Sequence, residues 1–214
     1  MTSETRRPVY FNPAASSWRT PSYPQANLDA VVSFHRNLPN YHPTPLVSIE
    51  AFAQELGVEA VYVKDESNRF DLPSFKNLGV SWAVYRAVIR ELNLAPGIDL
   101  AGIEAALASH SRSLRLFAGT EGNHGRAVAR MGSLLSIPAE IYVPAGIHPS
   151  TVELIQSEGA VVVVSLGDYD LAMKQASDAA AQSGGLLVQD CGLELYEEIP
   201  QVSLACLALR EIDH

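Results

Sequence analysis

The sequence predicts an α/β protein in which a parallel sheet carries helices on both faces, a three-layer arrangement. Between residues 114 and 190, short apolar strands alternate with helical segments of about ten or more residues. Parallel strands need crossover connections of this kind, and each crossover is expected to be right-handed. The strands are nearly continuous apolar runs, which is typical of strands that are buried on both faces of a sheet.

Four strands and three helices make up this unit. The strands are expected at residues 114–118, 139–143, 160–165 and 186–189. The helices between them are expected at residues 124–135, 149–158 and 169–183. We therefore predict a compact four-stranded α/β unit over residues 114–190.

The segment before this unit is expected to hold three helices and one strand. Ser48 and Ser74 can cap the first two helices, and Gly57 can end the first of them. In chain order the elements are a helix at 48–56, a strand at 60–65, a loop at 67–73, a helix from 74 to about 94, and a short helix at 103–110 within a connector over 95–115.

Prolines interrupt the N-terminal end of the chain at positions 8, 13, 21, 24, 39 and 43. Such a stretch cannot propagate a long helix or a central strand, although a short helix over residues 28–36 is expected. We interpret residues 1–40 as an N-terminal arm. An arm packed over the domain or on a second subunit and a partly ordered tail both remain open.

Composition and charge argue against several classes of partner. The chain has 214 residues and a formal net charge of −9, which is unsuited to nucleic acid and to anionic membranes. No apolar run approaches a membrane span, and the N-terminus lacks the apolar region of a signal peptide. Cys191 and Cys206 lie outside any CxxC motif, so a reduced, cytoplasmic setting is expected. The histidines are dispersed, and we infer no metal site.

Lys76 is the first candidate for chemistry. In the segment Ser74-Phe75-Lys76-Asn77 it stands where a polar, proline-containing loop becomes an apolar-periodic helix. The positive end of the helix dipole disfavours an ammonium ion there, and Phe75 and Leu78 could desolvate the amine. A neutral amine is the form that Schiff-base chemistry requires. From this local context alone, a solvated surface lysine is the commoner explanation.

A glycine-spaced turn at residues 119–126 is the second candidate. Gly119, Gly122 and Gly125 follow a predicted strand at every third position, which lets the backbone turn sharply and approach a ligand. The next helix offers free N–H groups to an anion. Asn123 can donate to a phenolate oxygen, and Glu121 supplies a carboxylate. The spacing differs from dinucleotide and P-loop motifs, and the density of functional groups favours a site over an ordinary turn.

These segments resemble the pyridoxal-phosphate-dependent enzymes of the tryptophan synthase β-subunit superfamily, which have fold type II, and within it the diaminopropionate ammonia-lyases. Order and spacing agree from about residue 40 to about residue 200. The matching stretches are residues 41–46 (YHPTPL), 63–70 (VKDESNRF), 74–79 (SFKNLG), 119–126 (GTEGNHGR), 141–144 (IYVP), 158–160 (EGA), 188–191 (VQDC) and 196–200 (YEEIP).

The resemblance implies pyridoxal 5'-phosphate as the cofactor. Lys76 would form the Schiff base with the cofactor's aldehyde. Asn123 would bond the cofactor's ring oxygen, and Gly122, His124 and Gly125 would complete the cofactor-binding set.

The resemblance also implies three catalytic residues. Lys76, once freed by exchange with the substrate, would remove the α-proton. Glu121 stands where these lyases have an acid–base aspartate, and its extra methylene moves the carboxylate by about one bond length. Asp190 matches an aspartate near the substrate's second amine, although a turn former at a strand end explains it nearly as well.

The implied reaction is the α,β-elimination of ammonia from a small amino acid, 2,3-diaminopropionate, to give pyruvate and ammonia. A serine or threonine dehydratase and a racemase-like activity are alternatives. The resemblance also implies a small domain at residues 114–190, a larger domain at residues 41–113 and 191–214, and a possible homodimer.

The chain departs from the family at its C-terminal end, where we expect the larger domain to be incomplete. The family's glycine-rich loop for the cofactor phosphate has no counterpart, since Gly184-Gly185 is only a pair before a strand. Residues 202–212 form an apolar, helix-like segment. A fragment, a catalytically inactive remnant and an interaction subunit that pairs with another chain all remain open as explanations.

Overall fold

A computed structural model describes residues 25–191, together with Pro13 and Ser17. Within that range the chain forms the helices α1 Gln25–Arg36, α2 Glu50–Leu56, α3 Lys76–Glu91, α4 Leu100–Ser109, α5 Asn123–Leu134, α6 Pro149–Gln156 and α7 Tyr169–Ser183. It forms the strands β1 Leu46–Ser48, β2 Tyr62–Lys64, β3 Leu116–Gly119, β4 Ala139–Val143, β5 Val161–Val164 and β6 Leu186–Leu187. None of the helices in this range is long and apolar enough to cross a bilayer.

Several sequence predictions fall on other residues. Most of the N-terminal arm, the string at residues 196–200, Cys206 and the helix-like segment at residues 202–212 lie outside the described residues. The helix expected at residues 28–36 is present as the greater part of α1.

Strands β3 to β6 form the predicted four-stranded parallel sheet, in the order β5-β4-β3-β6. The chain moves outward from β3 to β4 and β5, and then returns to the far side of β3. Right-handed crossovers therefore place α5 and α6 on one face and α7 on the other. Both α5 and α7 pack on β3 and β4, as two helix layers on opposite faces require. The predicted three-layer α/β class is confirmed.

The segment around β1 differs from the prediction. Residues 46–48 form β1, which pairs antiparallel with β2 through Leu46 and Lys64 and through Ser48 and Tyr62. Ser48 is therefore a strand residue, and Ile49 precedes α2 without a side-chain cap. A three-residue strand is too short to show a period of two in the sequence. Gly57 ends α2 in the left-handed region, at φ 66°, as predicted.

Two other helices begin at positions that differ from the prediction. Helix α3 begins at Lys76, two residues after the predicted start, and Phe75 precedes it without a side-chain cap. The Ser74 hydroxyl, predicted as the cap, accepts the Lys76 N–H at 3.1 Å. Helix α4 begins at Leu100, three residues before the predicted position, because the Asp99 carboxylate accepts the Gly102 N–H at 2.8 Å.

Helix α3 is buried along most of its length, from Asn77 to Tyr85 and again from Ala87 to Ile89. It packs on α5, and α1 packs on it through the rings of Phe34, Trp82 and Tyr85. One continuous apolar core runs from α1 through α3 and α5 to the strands. The lysine helix is thus fixed directly to the helix that follows the glycine-spaced turn.

Gly119 at the end of β3 lets α7 approach the sheet closely. A Cβ at this position would lie 2.6 Å from the Cα of Met173 and 2.9 Å from its backbone nitrogen. Backbone atoms cannot move aside as the end of a flexible side chain can, so only glycine fits here.

Gln189 continues the pairing of β6 with β3 by means of its side chain. Its amide oxygen accepts the Gly119 N–H at 3.0 Å, and its amide nitrogen donates to the Gly119 carbonyl at 2.9 Å. The same nitrogen donates to the Tyr169 hydroxyl at 3.0 Å. The backbone N–H groups of Leu186 and Val188 donate to the carbonyls of Arg115 and Phe117, each at 2.8 Å. Strand β6 ends at Leu187, two residues before the predicted end, and Gln189 is fully buried.

Gly119→Ala is expected to lower the free energy of unfolding by about 3 kcal/mol, because the added methyl overlaps the backbone of α7. Urea denaturation measures the change. Gly102→Ala is the control, since its Cβ would meet the flexible side chain of Ile98. That variant is expected to stay within about 1 kcal/mol of the parent. Equal losses in both variants would contradict the close approach of α7.

Gln189→Leu is expected to lower the free energy of unfolding by about 2–4 kcal/mol, because both backbone groups of Gly119 lose a buried partner. Gln175→Leu on α7 is the matched control. The Gln175 amide oxygen is buried and has no hydrogen-bond partner in the described structure, so its replacement is expected to be neutral or stabilising. Chemical denaturation of the two variants separates these outcomes.

Candidate active site

The candidate site lies at the carboxyl edge of the parallel sheet. Strand β3 has β4 on one side and β6 on the other. Helix α5, which follows β3, and helix α7, which precedes β6, lie on opposite faces of the sheet. In open α/β sheets, ligands bind at such a switch point, beyond the carboxyl ends of the strands. The turn after β3 and the segment Val188–Cys191 after β6 meet there.

Thr120 organises the turn after β3. Its hydroxyl accepts the Gly122 N–H at 3.0 Å and the Gly125 N–H at 3.1 Å, so that it caps the start of α5. Gly122 has φ 152°, which an L-residue rarely adopts. A Cβ at Gly125 would overlap the side chains of Thr120 and Ile141. Gly122 thus fits the backbone conformation of the turn, and Gly125 fits the close packing of the turn against Thr120 and Ile141.

Lys76 reaches this edge from the start of α3. Its Nζ atom lies 2.5 Å from the Oδ2 atom of Asp190, and the two side chains are 35% and 27% exposed. The contact joins residues that are 114 positions apart in the sequence. The lysine that the sequence singled out is therefore in a charge-assisted hydrogen bond, with its amine partly open to solvent.

His124 lies beneath this pair. Its ring is only 3% exposed, and Nε2 lies 2.7 Å from the carbonyl oxygen of Val188. Its Nδ1 atom is 3.6 Å from Asp190 Oδ2 and has no hydrogen-bond partner in the described structure. Lys76, Asp190 and His124, contributed by α3, the end of β6 and α5, therefore form one cluster.

The three side chains of this cluster differ in their charge at neutral pH. Burial lowers the pKa of His124 below its ordinary 6.5, and this outweighs the nearby Asp190 carboxylate, which favours the cation. Burial acts to raise the pKa of Asp190, but the charge of His124, if protonated, and the hydrogen bond and charge of Lys76 bring it below 3.8. Since His124 is neutral at neutral pH, the Lys76 ammonium is the group that holds the Asp190 charge there.

The structure brings together only part of the predicted site. Lys76, His124 and Asp190 are in contact, whereas the side chains of Glu121 and Asn123 are exposed and form no hydrogen bond within the described range. The roles assigned to Glu121 and Asn123 therefore stay predictions. So do the cofactor contacts assigned to Gly122, His124 and Gly125.

Sequence reasoning missed Thr120, Gln189 and Tyr169. Tyr169 begins α7, and its hydroxyl lies 3.9 Å from the Cys191 sulfur. Burial, followed by the influence of Cys191 and Asp190, raises the pKa of Tyr169, so the phenol stays neutral. Thr120 and Gln189 lie inside the quoted stretches at residues 119–126 and 188–191, but no local signal gave them a role. Tyr169 had no signal beyond its place at a predicted helix start, because its partners Gln189 and Cys191 are about 20 residues away in the sequence.

A buried ion pair supports the loop that precedes Lys76. The Arg69 guanidinium donates to the two Glu66 carboxylate oxygens at 2.7 and 2.8 Å, and to the Thr44 hydroxyl at 2.6 Å. The Asn77 amide, next to Lys76, donates to the Arg69 carbonyl at 3.0 Å. This network explains the matching stretch at residues 63–70, because it connects that loop to the first turn of α3.

His124→Gln is expected to flatten the pH dependence of stability below pH 6.5. With its pKa lowered from 6.5, neutral His124 stabilises the fold above pH 6.5, and this contribution is lost as the pH falls through its folded-state pKa. Asp190 does not interfere, because its contribution is lost only below pH 3.8. Melting temperatures across this range measure the effect, and parallel profiles for the two proteins would contradict it.

Comparisons with known proteins identify the family of this chain. The family profile described as "Pyridoxal-phosphate dependent enzyme" matches residues 38–208. Diaminopropionate ammonia-lyase of Salmonella typhimurium is 35% identical over 172 residues, which cover 79% of this chain and 43% of that enzyme. The enzyme of that name from Escherichia coli K12 is 32% identical over 191 residues, which cover 89% and 46%.

A solved structure gives the same picture. The crystal structure of the Escherichia coli diaminopropionate ammonia lyase in complex with D-serine superposes with a TM-score of 0.80 at 30% identity. The match covers 88% of this chain and 48% of that one. This chain thus spans about half the length of the relatives that it matches. Because the family profile covers well over half of the sequence, this chain belongs to the family of pyridoxal-phosphate dependent enzymes.

Proposed function

We propose that this chain acts in the pyridoxal-phosphate-dependent elimination of ammonia from a small amino acid, 2,3-diaminopropionate, with pyruvate and ammonia as products. The observation that carries the proposal is the 2.5 Å contact between Lys76 Nζ and Asp190 Oδ2 at the carboxyl edge of the sheet. It places a primary amine and a carboxylate where the fold accepts ligands. The diaminopropionate ammonia-lyases that resemble the chain suggest the substrate.

The groups at this edge fit the cofactor's chemistry. Lys76 offers a partly exposed primary amine to an aldehyde, and the start of α5 offers backbone N–H groups to an anion. Asn123 offers an exposed amide. When bound, pyridoxal phosphate draws electron density from the substrate's α-carbon, so that the α-proton can be removed.

Each residue of this chain then has a separate task. Lys76 attaches the cofactor and afterwards takes the α-proton on Nζ. Glu121, exposed beside the turn, protonates the leaving amine. Asp190 attracts the second ammonium group of the substrate, which distinguishes a diamino acid from serine. Asn123 donates to the cofactor's ring oxygen.

A role as an interaction subunit is the second candidate, and an exposed apolar surface favours it. The unit formed by β1, α2 and β2 leaves Phe52, Leu56 and Tyr62 exposed by 46%, 54% and 61%. Large exposed apolar patches mark interaction sites. In that case the chain contributes the lysine and a partner completes the site. Homodimer formation belongs to the same proposal, and light scattering of the purified chain tests it.

Lys76→Ala is expected to abolish the covalent attachment of pyridoxal phosphate, because no other amine in the described structure shares the Asp190 contact. The test mixes the purified chain with the cofactor, reduces it with borohydride and maps the adduct by mass spectrometry. Lys174→Ala is the control, since Lys174 is an exposed lysine paired with Asp178. It is expected to keep the adduct at Lys76. An adduct that survives in Lys76→Ala would refute the assignment.

The substrate is tested on the chain loaded with cofactor. Release of pyruvate and ammonia from 2,3-diaminopropionate, and not from serine or threonine, is the expected result. Pyruvate from serine, 2-oxobutyrate from threonine or loss of chirality without elimination would instead indicate the dehydratase or racemase alternative. A cofactor adduct without turnover of any substrate would favour the interaction subunit.

A further inference from the structure

The loop at residues 67–73, which leads into the lysine helix, contains two strained residues in succession. Phe70 and Asp71 adopt left-handed φ values of 54° and 58°. Residues that carry a Cβ rarely adopt this conformation, and they keep it only where the surrounding structure holds them. Because the loop runs directly into the first turn of α3, its conformation decides where Lys76 stands.

Arg130 on α5 holds the backbone of this loop. Its Nη1 atom donates to the Phe70 carbonyl oxygen at 2.6 Å, and this carbonyl belongs to the peptide group that joins the two left-handed residues. The contact joins residues 60 positions apart. A hydrogen bond from a charged donor is stronger than one from a neutral donor, which suits Arg130 to holding a strained peptide group.

Glu158, in the turn after α6, fixes the side chain of Arg130. Its carboxylate accepts the Arg130 Nε–H at 2.7 Å and an Nη2–H at 3.0 Å, which makes a bidentate pair. Arg126 donates to the same carboxylate at 2.9 Å. The Glu158 side chain is only 8% exposed, so these contacts are largely shielded from water. With Nε and Nη2 bound to Glu158, Nη1 of Arg130 is the atom directed at the loop.

A cavity makes this contact important. About 480 Å³ of space lies between the loop, the start of α3, α5 and the turn after α6, and the residues that line it include Phe70, Asp71, Asn77, Arg130 and Glu158. Because the cavity interrupts close packing here, the hydrogen bond of Arg130 connects the loop to α5 beside it.

The conformation of the loop reaches Lys76 through short-range hydrogen bonds. The Leu72 N–H donates to the Arg69 carbonyl at 3.1 Å, and the Ser74 N–H donates to the Leu72 carbonyl at 2.7 Å. The Ser74 hydroxyl then accepts the Lys76 N–H at 3.1 Å. Each of these bonds joins neighbours in the chain, so a shift at Phe70 moves the start of α3.

We propose that Glu158 and Arg130 are positioning residues for Lys76, which hold the loop at residues 67–73 so that the amine meets Asp190 at the carboxyl edge of the sheet. They act through the backbone of the loop rather than at the reacting atoms. The inference rests on the proposed role of Lys76 as the amine that binds the aldehyde, and it extends that role to residues of α5 and of the turn after α6.

Hydrogen exchange tests the hold on the loop. In the parent, the N–H groups of Leu72 and Ser74 are expected to exchange slowly with deuterium, because each is hydrogen-bonded within the loop. In Arg130→Met both are expected to exchange about tenfold faster, as the loss of one charged hydrogen bond allows. Exchange in the parent at the rate of an unstructured peptide would overturn the proposal without the need for any variant.

A second measurement reports on Lys76 itself, without cofactor or substrate. Competitive labelling with acetic anhydride, read by peptide mass spectrometry, compares Lys76 with the exposed Lys174 as internal reference. In Arg130→Met, labelling of Lys76 is expected to rise about fivefold, because the amine spends less time bound to Asp190. Arg130→Lys keeps a cation but cannot bind Glu158 in bidentate fashion and the loop carbonyl at once, so an intermediate value is expected.

Arg112→Met is the matched control. Arg112 also joins a carboxylate, that of Glu91 at 3.0 Å, to a backbone carbonyl, that of Gly184 at 2.8 Å. Labelling of Lys76 in this variant is expected to equal that of the parent. If Arg130 has only a structural role, Arg130→Met lowers the free energy of unfolding but leaves the labelling of Lys76 unchanged, and that result would refute the proposal.

Glu158→Gln provides a second variant in case Arg130→Met does not fold. The carboxamide has the size of the carboxylate but only one accepting oxygen, so the hold on Arg130 weakens and a smaller rise in the labelling of Lys76 is expected. Labelling equal to that of the parent would contradict the role of Glu158. Neither measurement uses pyridoxal phosphate, so a failure of the cofactor to bind Lys76 is seen separately from a failure of this inference.

Discussion

The pairing of the Gln189 amide with Gly119 is the interaction on which the site depends. Strand β6 contributes only two residues to the sheet, and beyond the backbone hydrogen bond from Val188 to Phe117 the side chain of Gln189 adds two hydrogen bonds to Gly119. This places the Val188 carbonyl against His124 and Asp190 against Lys76. Both contacts start from residues adjacent to Gln189, so one buried amide sets the geometry of the cluster.

The lysine reaches the cluster from the other side through a separate set of buried polar contacts. A buried ion pair such as Arg69–Glu66 loses hydration, and the structure offsets that loss with further hydrogen bonds, including one to Thr44. Asn77 then ties this network to the first turn of α3. Because α3 also packs on α5, the positions of Lys76 and His124 are coupled through the core.

The cluster shows how burial and pairing divide charge among neighbouring groups. His124 is buried and neutral, while Asp190 is partly exposed and keeps its charge beside the ammonium. The site lies at an open edge. A cavity of about 790 Å³ lies instead between α1, α3 and residues 94–101, and none of the three residues lines it.

The sequence by itself determined the order of strands and helices from β3 to β6, because apolar periodicity and chain length dictate parallel crossovers. It also singled out the turn at residues 119–126 through its clustered glycines, whereas Lys76 stood out through the resemblance to the family rather than through its local setting alone. The tertiary structure alone decided that Asp190 meets Lys76, that His124 lies beneath Asp190, and that Gln189 substitutes for a strand residue. These contacts join residues between 66 and 114 positions apart (190 − 124 = 66 for His124 and Asp190), and no local pattern records such distances.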